Sequence, residues 1–428
     1  MADTKANITS DHHRVIILII FVLSQLILSI AGYSWGPLAP FLRDTMSLSG
    51  TQIGSISSTF YFAAALSALP AGVVVDCFGV RNSILLWLGL TGVPLFFLDL
   101  AHSYYSIFLI IVAVAGIGYG MGNPVASKGL FIWFDQKTRG TVFGLRQSAV
   151  TVGGGLAGIL LVLLSKRLGP FAAMQVVGLM IMAMIVFAFT LYRNPRGDRD
   201  NKKNLLSKDS RSLTSEFRGL FTNKALLAIS VVMAMLGFAQ GIIVTFLLLY
   251  INEMLGYSLT AAGSLFAIVM ISGTVGRIFW GVVSDRLFNG RRKPILMTIC
   301  GLAALSITIL ALCKKTCPQW FLLPIIVVIG LSTLGWNGIA MVMVTEVSSD
   351  KKTATSVGFA STISWSGLFL GPVTFGRVTD SFGYFYGWMF LVVLCLFSVI
   401  FSFFVPGSYQ HPLESSPGQP SKGRWAGA

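Results

Sequence analysis

The chain has 428 residues, of which 54% are hydrophobic and only 11% are charged. A soluble domain of this size does not need so apolar a composition to build its core, so the protein is predicted to use lipid as its solvent. Its formal net charge of +15 would suit a nucleic-acid-binding protein if the cations clustered on one surface. Their placement along the chain argues against that class.

Apolar stretches of about 20 residues, the length that an α-helix needs to cross a bilayer, recur through most of the chain. Hydrocarbon offers backbone groups no hydrogen-bond partner, so these stretches are expected to be helices and the fold class to be an all-α membrane protein. Twelve spans are predicted, at residues 15–37, 51–75, 82–101, 105–134, 141–164, 171–192, 224–251, 259–284, 294–313, 319–345, 354–378 and 386–405.

Lysine and arginine are unevenly distributed between the polar segments that connect these spans. If the N-terminus is inside, most of the 31 cations fall in cytoplasmic segments. The outer segments hold few: Arg43, Lys166, Arg167, Lys314 and Lys315, with Arg377 at the edge. This is the positive-inside bias, which predicts a multi-pass protein of the inner (cytoplasmic) membrane with both termini in the cytoplasm. Topology therefore explains the basic excess, and no nucleic-acid partner is expected.

The longest polar interval, residues 193–223, divides the chain near its middle. Six predicted spans precede it and six follow. The pattern predicts an N-terminal six-helix bundle at 1–192, a cytoplasmic linker at 193–223 and a C-terminal six-helix bundle at 224–405. Residues 406–428 are rich in Ser, Pro and Gly and are predicted to be a disordered cytoplasmic tail.

A loop motif occurs twice, between spans two and three and between spans eight and nine. Its members are Gly72, Asp76, Gly79 and Arg81 in the first copy and Gly281, Asp285, Arg286 and Gly290 in the second. The motif resembles the signature loop of the major facilitator superfamily, whose fold has twelve transmembrane helices in two six-helix bundles. The resemblance implies a gating role for Asp76 with Arg81 and for Asp285 with Arg286. The alternative is that these residues only anchor the loops at the membrane surface.

Spans four and five narrow the resemblance within the superfamily. An Asn-Pro pair at 123–124, a Trp-Phe pair at 133–134, an Arg-Gly pair at 139–140 and a Gly-x-x-Gln run at 144–147 are similar to those of cyanate-permease-type and related organic-anion carriers, such as monocarboxylate and oxalate-formate carriers. Span five has three consecutive glycines at 153–155, where drug/proton antiporters have a Gly-Pro pair. This difference disfavours an exporter of hydrophobic or amphiphilic compounds, which is kept as the alternative function.

Three cations lie inside predicted spans: Lys128, Arg146 and Arg277. A charge within the membrane is costly unless it is paired or faces water, so each is a candidate functional residue. At 1.5 Å per residue, Arg277 lies roughly 12 Å from the inner boundary, and the other two lie roughly 10 Å from it. The sequence places no carboxylate at a comparable depth. These cations are predicted to bind an anion, and pairing or snorkelling toward the cytoplasm is the alternative.

The guanidinium fork of arginine matches a carboxylate with two hydrogen bonds. The resemblance agrees, because small-carboxylate carriers have an arginine in span eight at a position similar to Arg277. We therefore predict a small organic anion, a carboxylate, as the substrate. The resemblance also implies that spans one, four, seven and ten line the cavity, and their other candidate binding residues are Gln25, Tyr33, Tyr119, Asn123, Gln240, Trp336 and Asn337. Each of these residues could instead serve helix packing.

The chain has no Walker-type loop, so transport is predicted to be driven by a gradient. Proton symport and anion exchange both remain open. A transporter-like sensor that binds without translocating is a third functional class. An enzyme, a metal site and a cofactor are not expected, because the sequence shows no nucleophile–base or metal-ligand cluster. The expected partners are the substrate anion, the lipid bilayer and possible coupling protons, and the expected state is a monomer.

Overall fold

The computed structural model describes residues 2–192, 223–315, 317–348 and 353–405. Every regular element in these ranges is helical. The α-helices are α1 (Ala2–Gly32), α2 (Trp35–Met46), α3 (Gly50–Phe96), α4 (Tyr105–Gly120), α5 (Gly122–Trp133), α6 (Gln136–Leu168), α7 (Pro170–Leu191), α8 (Lys224–Glu253), α9 (Leu259–Leu287), α10 (Arg292–Leu312), α11 (Gln319–Thr333), α12 (Asn337–Glu346), α13 (Thr353–Phe382) and α14 (Tyr384–Ser402). The predicted linker, apart from Asn223, and the predicted tail lie outside the described residues.

The protein is a multi-pass membrane protein. Ten stretches of the described chain are long and apolar enough to cross a bilayer. Helix α3 has 47 residues, about 70 Å at 1.5 Å per residue, which is more than twice the thickness of a bilayer core. The helix bends at Gly79, whose φ of 77° favours glycine. Predicted span two lies before this bend and predicted span three after it. Helix α13 holds span eleven, and the predicted all-α membrane fold is confirmed.

Three of the apolar stretches are interrupted by short irregular segments. The first continues to Met46, beyond the predicted end of span one at residue 37, and divides into α1 and α2 at residues 33–34. Span four divides into α4 and α5 at Met121, and span ten into α11 and α12 at residues 334–336. Irregular backbone is tolerated at membrane depth only where it is buried in protein or lines a cavity. The breaks therefore mark where the interior of the molecule differs from a plain helix bundle.

At each break a side chain donates a hydrogen bond to a backbone carbonyl oxygen. The Tyr61 hydroxyl donates to the Gly32 carbonyl oxygen at 2.9 Å. Nη2 of Arg146 donates to the carbonyl oxygen of Gly122 at 3.3 Å, and Nε1 of Trp336 donates to that of Thr333 at 3.0 Å. These bonds satisfy backbone groups near the interruptions and hold the breaks in a fixed geometry.

The two halves of the chain meet mainly through three helix pairs, α2 with α8, α3 with α13, and α6 with α9, and α3 also contacts α8. Glycine lets the backbones touch, because a side chain would not fit. A Cβ would lie 2.1 Å from the Val244 oxygen at Gly36, 2.2 Å from the Pro372 oxygen at Gly54, and 2.3 Å from the Gly158 oxygen at Gly263. All three contacts lie between the helix breaks and the end predicted to face outside, which we call the outer end.

Substituting Gly54 by alanine is expected to separate α3 from α13, because the new Cβ would overlap the Pro372 carbonyl. Overpacking of this kind costs about 1–3 kcal/mol, a shift of about 5- to 150-fold against the closed outer end. Hydrogen–deuterium exchange of peptides covering the outer ends of α3 and α13 should rise accordingly. Gly89→Ala in the same helix is the control, because nothing lies within 4 Å of its Cβ position. Equal exchange in the two variants would contradict the prediction.

Candidate functional site

A cavity of about 460 Å³ lies between the two halves, at the level of the helix breaks. Eight of the ten candidate binding residues line it: Gln25, Tyr33, Tyr119, Asn123, Gln240, Arg277, Trp336 and Asn337. Arg146 and Lys128 are not among the lining residues. The cavity therefore draws on both halves of the chain.

The broken spans explain why these residues converge. Tyr33 lies in the break between α1 and α2, Tyr119 and Asn123 flank the break at Met121, and Trp336 lies in the break before α12. Because α5 and α12 begin at the cavity, their N-terminal amide groups lie there, where the helix dipole is positive. Helix α8 supplies Gln240 without a break.

Arg277 is the cation that lines the cavity from the C-terminal half. It projects from α9 and is half-buried. Its Nε atom is buried and has no hydrogen-bond partner. No carboxylate among the described residues forms an ion pair with it. The positive charge of Arg277 is thus uncompensated by the part of the protein that the structure describes.

Arg146 lies just behind the cavity wall of the N-terminal half, with only 4% of its surface exposed. Its Nη2 donates to Oε1 of Gln25, to Oδ1 of Asn123 at 3.0 Å and to the Gly122 carbonyl oxygen at 3.3 Å. All three acceptors are neutral. Gln25 and Asn123 do line the cavity, so the positive charge of Arg146 lies directly behind the wall and polarises these two amides.

Lys128 differs from the two arginines because it has an acidic partner. Its Nζ lies 2.7 Å from Oδ1 of Asp76, a contact that α5 makes by packing against α3. In this conformation Asp76 therefore pairs with Lys128 and not with Arg81. Arg81 instead donates to the Phe189 carbonyl oxygen at 2.8 Å and lies over the Phe189 ring. Lys128 can therefore lie within the membrane span because its charge is paired with a carboxylate of the same half.

The second copy of the loop motif behaves in the same way. Asp285 pairs with Arg292, whose Nε also lies 3.3 Å from Oε1 of Glu346. Arg286, the residue next to Asp285 on α9, is exposed and projects from a different face of the helix. In both copies the carboxylate pairs within its own half, at the end opposite to the outer end.

The sequence reasoning missed the polar contacts that join the halves at the outer end. Nη1 of Arg43 donates to Oε2 of Glu253 at 2.6 Å, and the Tyr384 hydroxyl donates to the same oxygen at 3.0 Å. Asp380 accepts hydrogen bonds at 2.7 Å from the backbone amides of Gly50 and Thr51. These amides open α3, so a carboxylate of the C-terminal half caps a helix of the N-terminal half.

Six polar or aromatic lining residues were also missed: Tyr61, Trp87, Gln147, Ser361, Ser364 and Trp365. Two signals in the sequence point to four of them. Gln147 directly follows Arg146, and α13, which carries the two serines and Trp365, does not reach the hydropathy of the ten apolar spans. A span too polar for lipid on every side is expected to have a face turned to protein or to a cavity.

The model of the Major Facilitator Superfamily matches residues 21–372 of this sequence. The chain belongs to this superfamily. The two half-chain bundles around a shared cavity fit that assignment, and so does a likeness to the crystal structure of a bacterial homolog of the human lysosomal transporter Spinster in an inward-facing and occupied conformation. That likeness has a TM-score of 0.73 at 16% sequence identity and covers 92% of this chain and 96% of the other. The protein is accordingly a transporter-family member and not an enzyme.

The sequence is also similar to two curated relatives. It is 25% identical over 270 residues to a probable L-galactonate transporter of Escherichia coli K12, which covers 59% of this chain and 58% of the relative. It is 24% identical over 372 residues to the membrane sensor protein UhpC of the same organism, which covers 81% of this chain and 82% of the relative. The match to the first relative thus spans less than two thirds of that protein's length.

Asp380→Asn is expected to weaken the closure of the outer end of this superfamily member, because the charge that caps α3 is removed. A hydrogen bond to a charged group contributes about 1.5–3 kcal/mol and a neutral one about 1, so the shift should be about 10-fold. In a cysteine-free background, spin labels at Leu100 and Trp320, both exposed at the outer end, should move apart. Asp44→Asn removes the same charge from an exposed site and should leave the distance distribution unchanged.

Proposed function

We propose that this transporter moves a small organic anion, a carboxylate, across the cytoplasmic membrane by alternating access. The observation that carries the proposal is Arg277, a cation that lines the cavity with no acidic partner among the described residues. A guanidinium in surroundings of low polarity favours a negatively charged guest. Proposed binding residues are those that line the cavity, with Arg146 acting on them from behind.

The helix dipoles favour the same charge on the substrate. Helices α5 and α12 both begin at the cavity, and Asn123 and Asn337 lie in their first turns. Half-helix N-termini of this kind attract anionic groups in carriers built from broken helices. A cavity lined by arginine, amides and hydroxyls would leave many polar groups unpaired around a purely hydrophobic cargo. This argues against the export of hydrophobic compounds.

The relatives support an anionic cargo. L-galactonate, the solute named for one of them, is a carboxylate at neutral pH. A sensor that binds without translocating is the second candidate, because the match to the membrane sensor protein UhpC is longer than the match to the galactonate transporter. Uptake of a radiolabelled ligand by proteoliposomes separates the two, since a sensor would bind the ligand and show no flux.

Gating is proposed to alternate between the two ends. The polar contacts at the outer end join the halves, whereas the ion pairs at the inner end, in the part of the chain that the structure describes, each lie within one half. We propose that Asp76, Arg81, Asp285 and Arg286 contact the opposite half when the inner end closes. The proposal extends to topology: both termini lie in the cytoplasm, and one chain, whose two halves line one cavity, works as a monomer.

The driving force is proposed to be proton symport or anion exchange. Uptake into proteoliposomes is expected to respond either to an imposed inward proton gradient with empty vesicles, or to anion loaded inside them at equal pH. Symport predicts the first response and exchange the second. Uptake that needs neither condition, and only follows the substrate gradient, would contradict both forms of coupling.

Arg277→Gln is expected to lower initial uptake of the substrate anion by at least about 30-fold, because losing one partner of a hydrogen-bonded charge pair costs about 2–5 kcal/mol. Arg277→Lys should retain part of the activity, since it keeps the charge and loses the fork. The matched control is Arg377→Gln, which removes the same charge from an exposed position on α13. Normal uptake by Arg277→Gln, at equal amounts in the membrane, would remove Arg277 from the binding site.

A further inference from the structure

We infer that the anion carries several hydroxyl groups, so that the substrate class is a polyhydroxylated carboxylate of the sugar-acid type. This inference rests on the proposed function and concerns the same cavity. It follows from the polar groups of the cavity other than Arg277, which pairs with the carboxylate of the substrate. The cavity presents amide, phenol and indole groups from both halves, and the orientation of several of them is fixed by their neighbours.

Arg146 fixes the orientation of Asn123. A guanidinium only donates hydrogen bonds, so the group that faces it at 3.0 Å must be the amide oxygen of Asn123. The Asn123 amide nitrogen, with two N–H donors, is thereby turned away from Arg146. Asn123 lines the cavity, and the structure gives that nitrogen no partner among the described residues. Arg146 thus acts as a positioning residue for a neutral donor.

A second amide pair lies across the cavity in the C-terminal half. Nδ2 of Asn337 donates to Oε1 of Gln240 at 3.3 Å and joins α12 to α8. This bond uses one donor and one acceptor. It leaves the Gln240 amide nitrogen and the Asn337 amide oxygen without partners in the described chain, and both residues line the cavity. The pair therefore offers a donor and an acceptor side by side.

Phenol and indole groups complete the wall. Tyr33 and Tyr119 line the cavity, and their hydroxyls have no hydrogen-bond partner among the residues described. Trp336 and Trp365 line it as well and supply flat apolar faces. Amides and phenols match alcohol groups, which both donate and accept, and aromatic faces match the C–H side of a sugar chain.

The free energies favour a hydroxylated guest over a plain acid. A buried polar group left without a hydrogen bond costs about 1–3 kcal/mol, so a carboxylate with an aliphatic or unsubstituted aromatic body would leave several such costs in the closed cavity. Sites built to bond a substrate hydroxyl reject analogues that lack it by large factors. The cavity volume of about 460 Å³ lies within the range that holds a small ligand.

The first test is isothermal titration of the purified full-length protein with matched ligands. Three stereoisomeric six-carbon aldonates, one of them galactonate, are compared with hexanoate, with benzoate and with the neutral polyol galactitol. At least one aldonate is expected to bind about 100-fold or more tightly than hexanoate and benzoate, because at least two hydrogen bonds of about 1–3 kcal/mol distinguish them. Galactitol, which lacks the charge, should bind weakly.

The second test changes the amide pair. Asn337→Leu should weaken aldonate binding about 10-fold and leave hexanoate binding unchanged, since one hydroxyl contact is lost and the charge contact remains. Asn82→Leu, at an exposed position of α3, is the matched control and should change neither. If Asn337→Leu does not fold, Gln240→Met replaces it with the same expected pattern.

The outcomes separate this inference from the proposed function. Hexanoate or benzoate binding as tightly as every aldonate, with both lost in Arg277→Gln, would overturn the hydroxyl inference and support the anion carrier. Binding of galactitol as tightly as of the aldonates would overturn the anion carrier itself. Preferential aldonate binding that Asn337→Leu weakens for aldonate alone supports both. Equal loss of aldonate and hexanoate in that variant would assign Asn337 a structural role and overturn its contact with hydroxyls.

Discussion

The structure depends on one constraint, that a backbone carbonyl or amide in hydrocarbon must have a hydrogen-bond partner inside the protein. Helices meet it automatically, and a break in a helix meets it only if other groups come to the exposed atoms. Here Tyr61, Arg146 and Trp336 donate to carbonyls at the three breaks. The breaks are thereby confined to the centre of the molecule, where Tyr61 and Trp336 form part of the cavity wall and Arg146 lies behind it.

The same constraint sorts the three cations within the membrane. Lys128 meets a carboxylate of its own half and becomes part of the scaffold. Arg146 donates through Nη2 to three neutral oxygens, which hold it in place and leave its charge unbalanced, and its Nε is buried without a partner. Arg277 faces the cavity and keeps both its charge and an unpaired donor. The three residues look alike in the sequence but differ in their neighbours. Lys128 is paired within the scaffold, Arg146 positions the amides beside it, and Arg277 is left available to a ligand.

Local rules in the sequence predicted the spans, and the same rules together with the family resemblance predicted part of the cavity wall. Hydropathy marks a span, and a polar residue at mid-depth must face protein or water. The resemblance indicated which spans line the cavity, and Tyr33, Asn123 and Asn337, selected in this way, do lie in its wall. Pairings were a different matter, since they join helices that are distant in the chain. Asp76 has Lys128 within reach only because α5 packs on α3. No local rule indicates that Asp380 would cap a helix that begins 330 positions earlier.

The cap on α3 bears on how little energy the conformational cycle needs. Ser49 already satisfies the amide of Gln52, so Asp380 accepts from the two amides before it, and also from the Thr51 hydroxyl. These groups lie at the rim of the membrane, where water can take the place of a departing carboxylate. Glycine contacts such as that of Gly54 leave no interlocked side chains to disentangle. When the halves separate, hydrogen bonds to water would therefore replace those between the halves, so the two conformations would stay close in free energy. A small difference in free energy, of the size that an ion or solute gradient supplies, would then be enough to drive the conformational change.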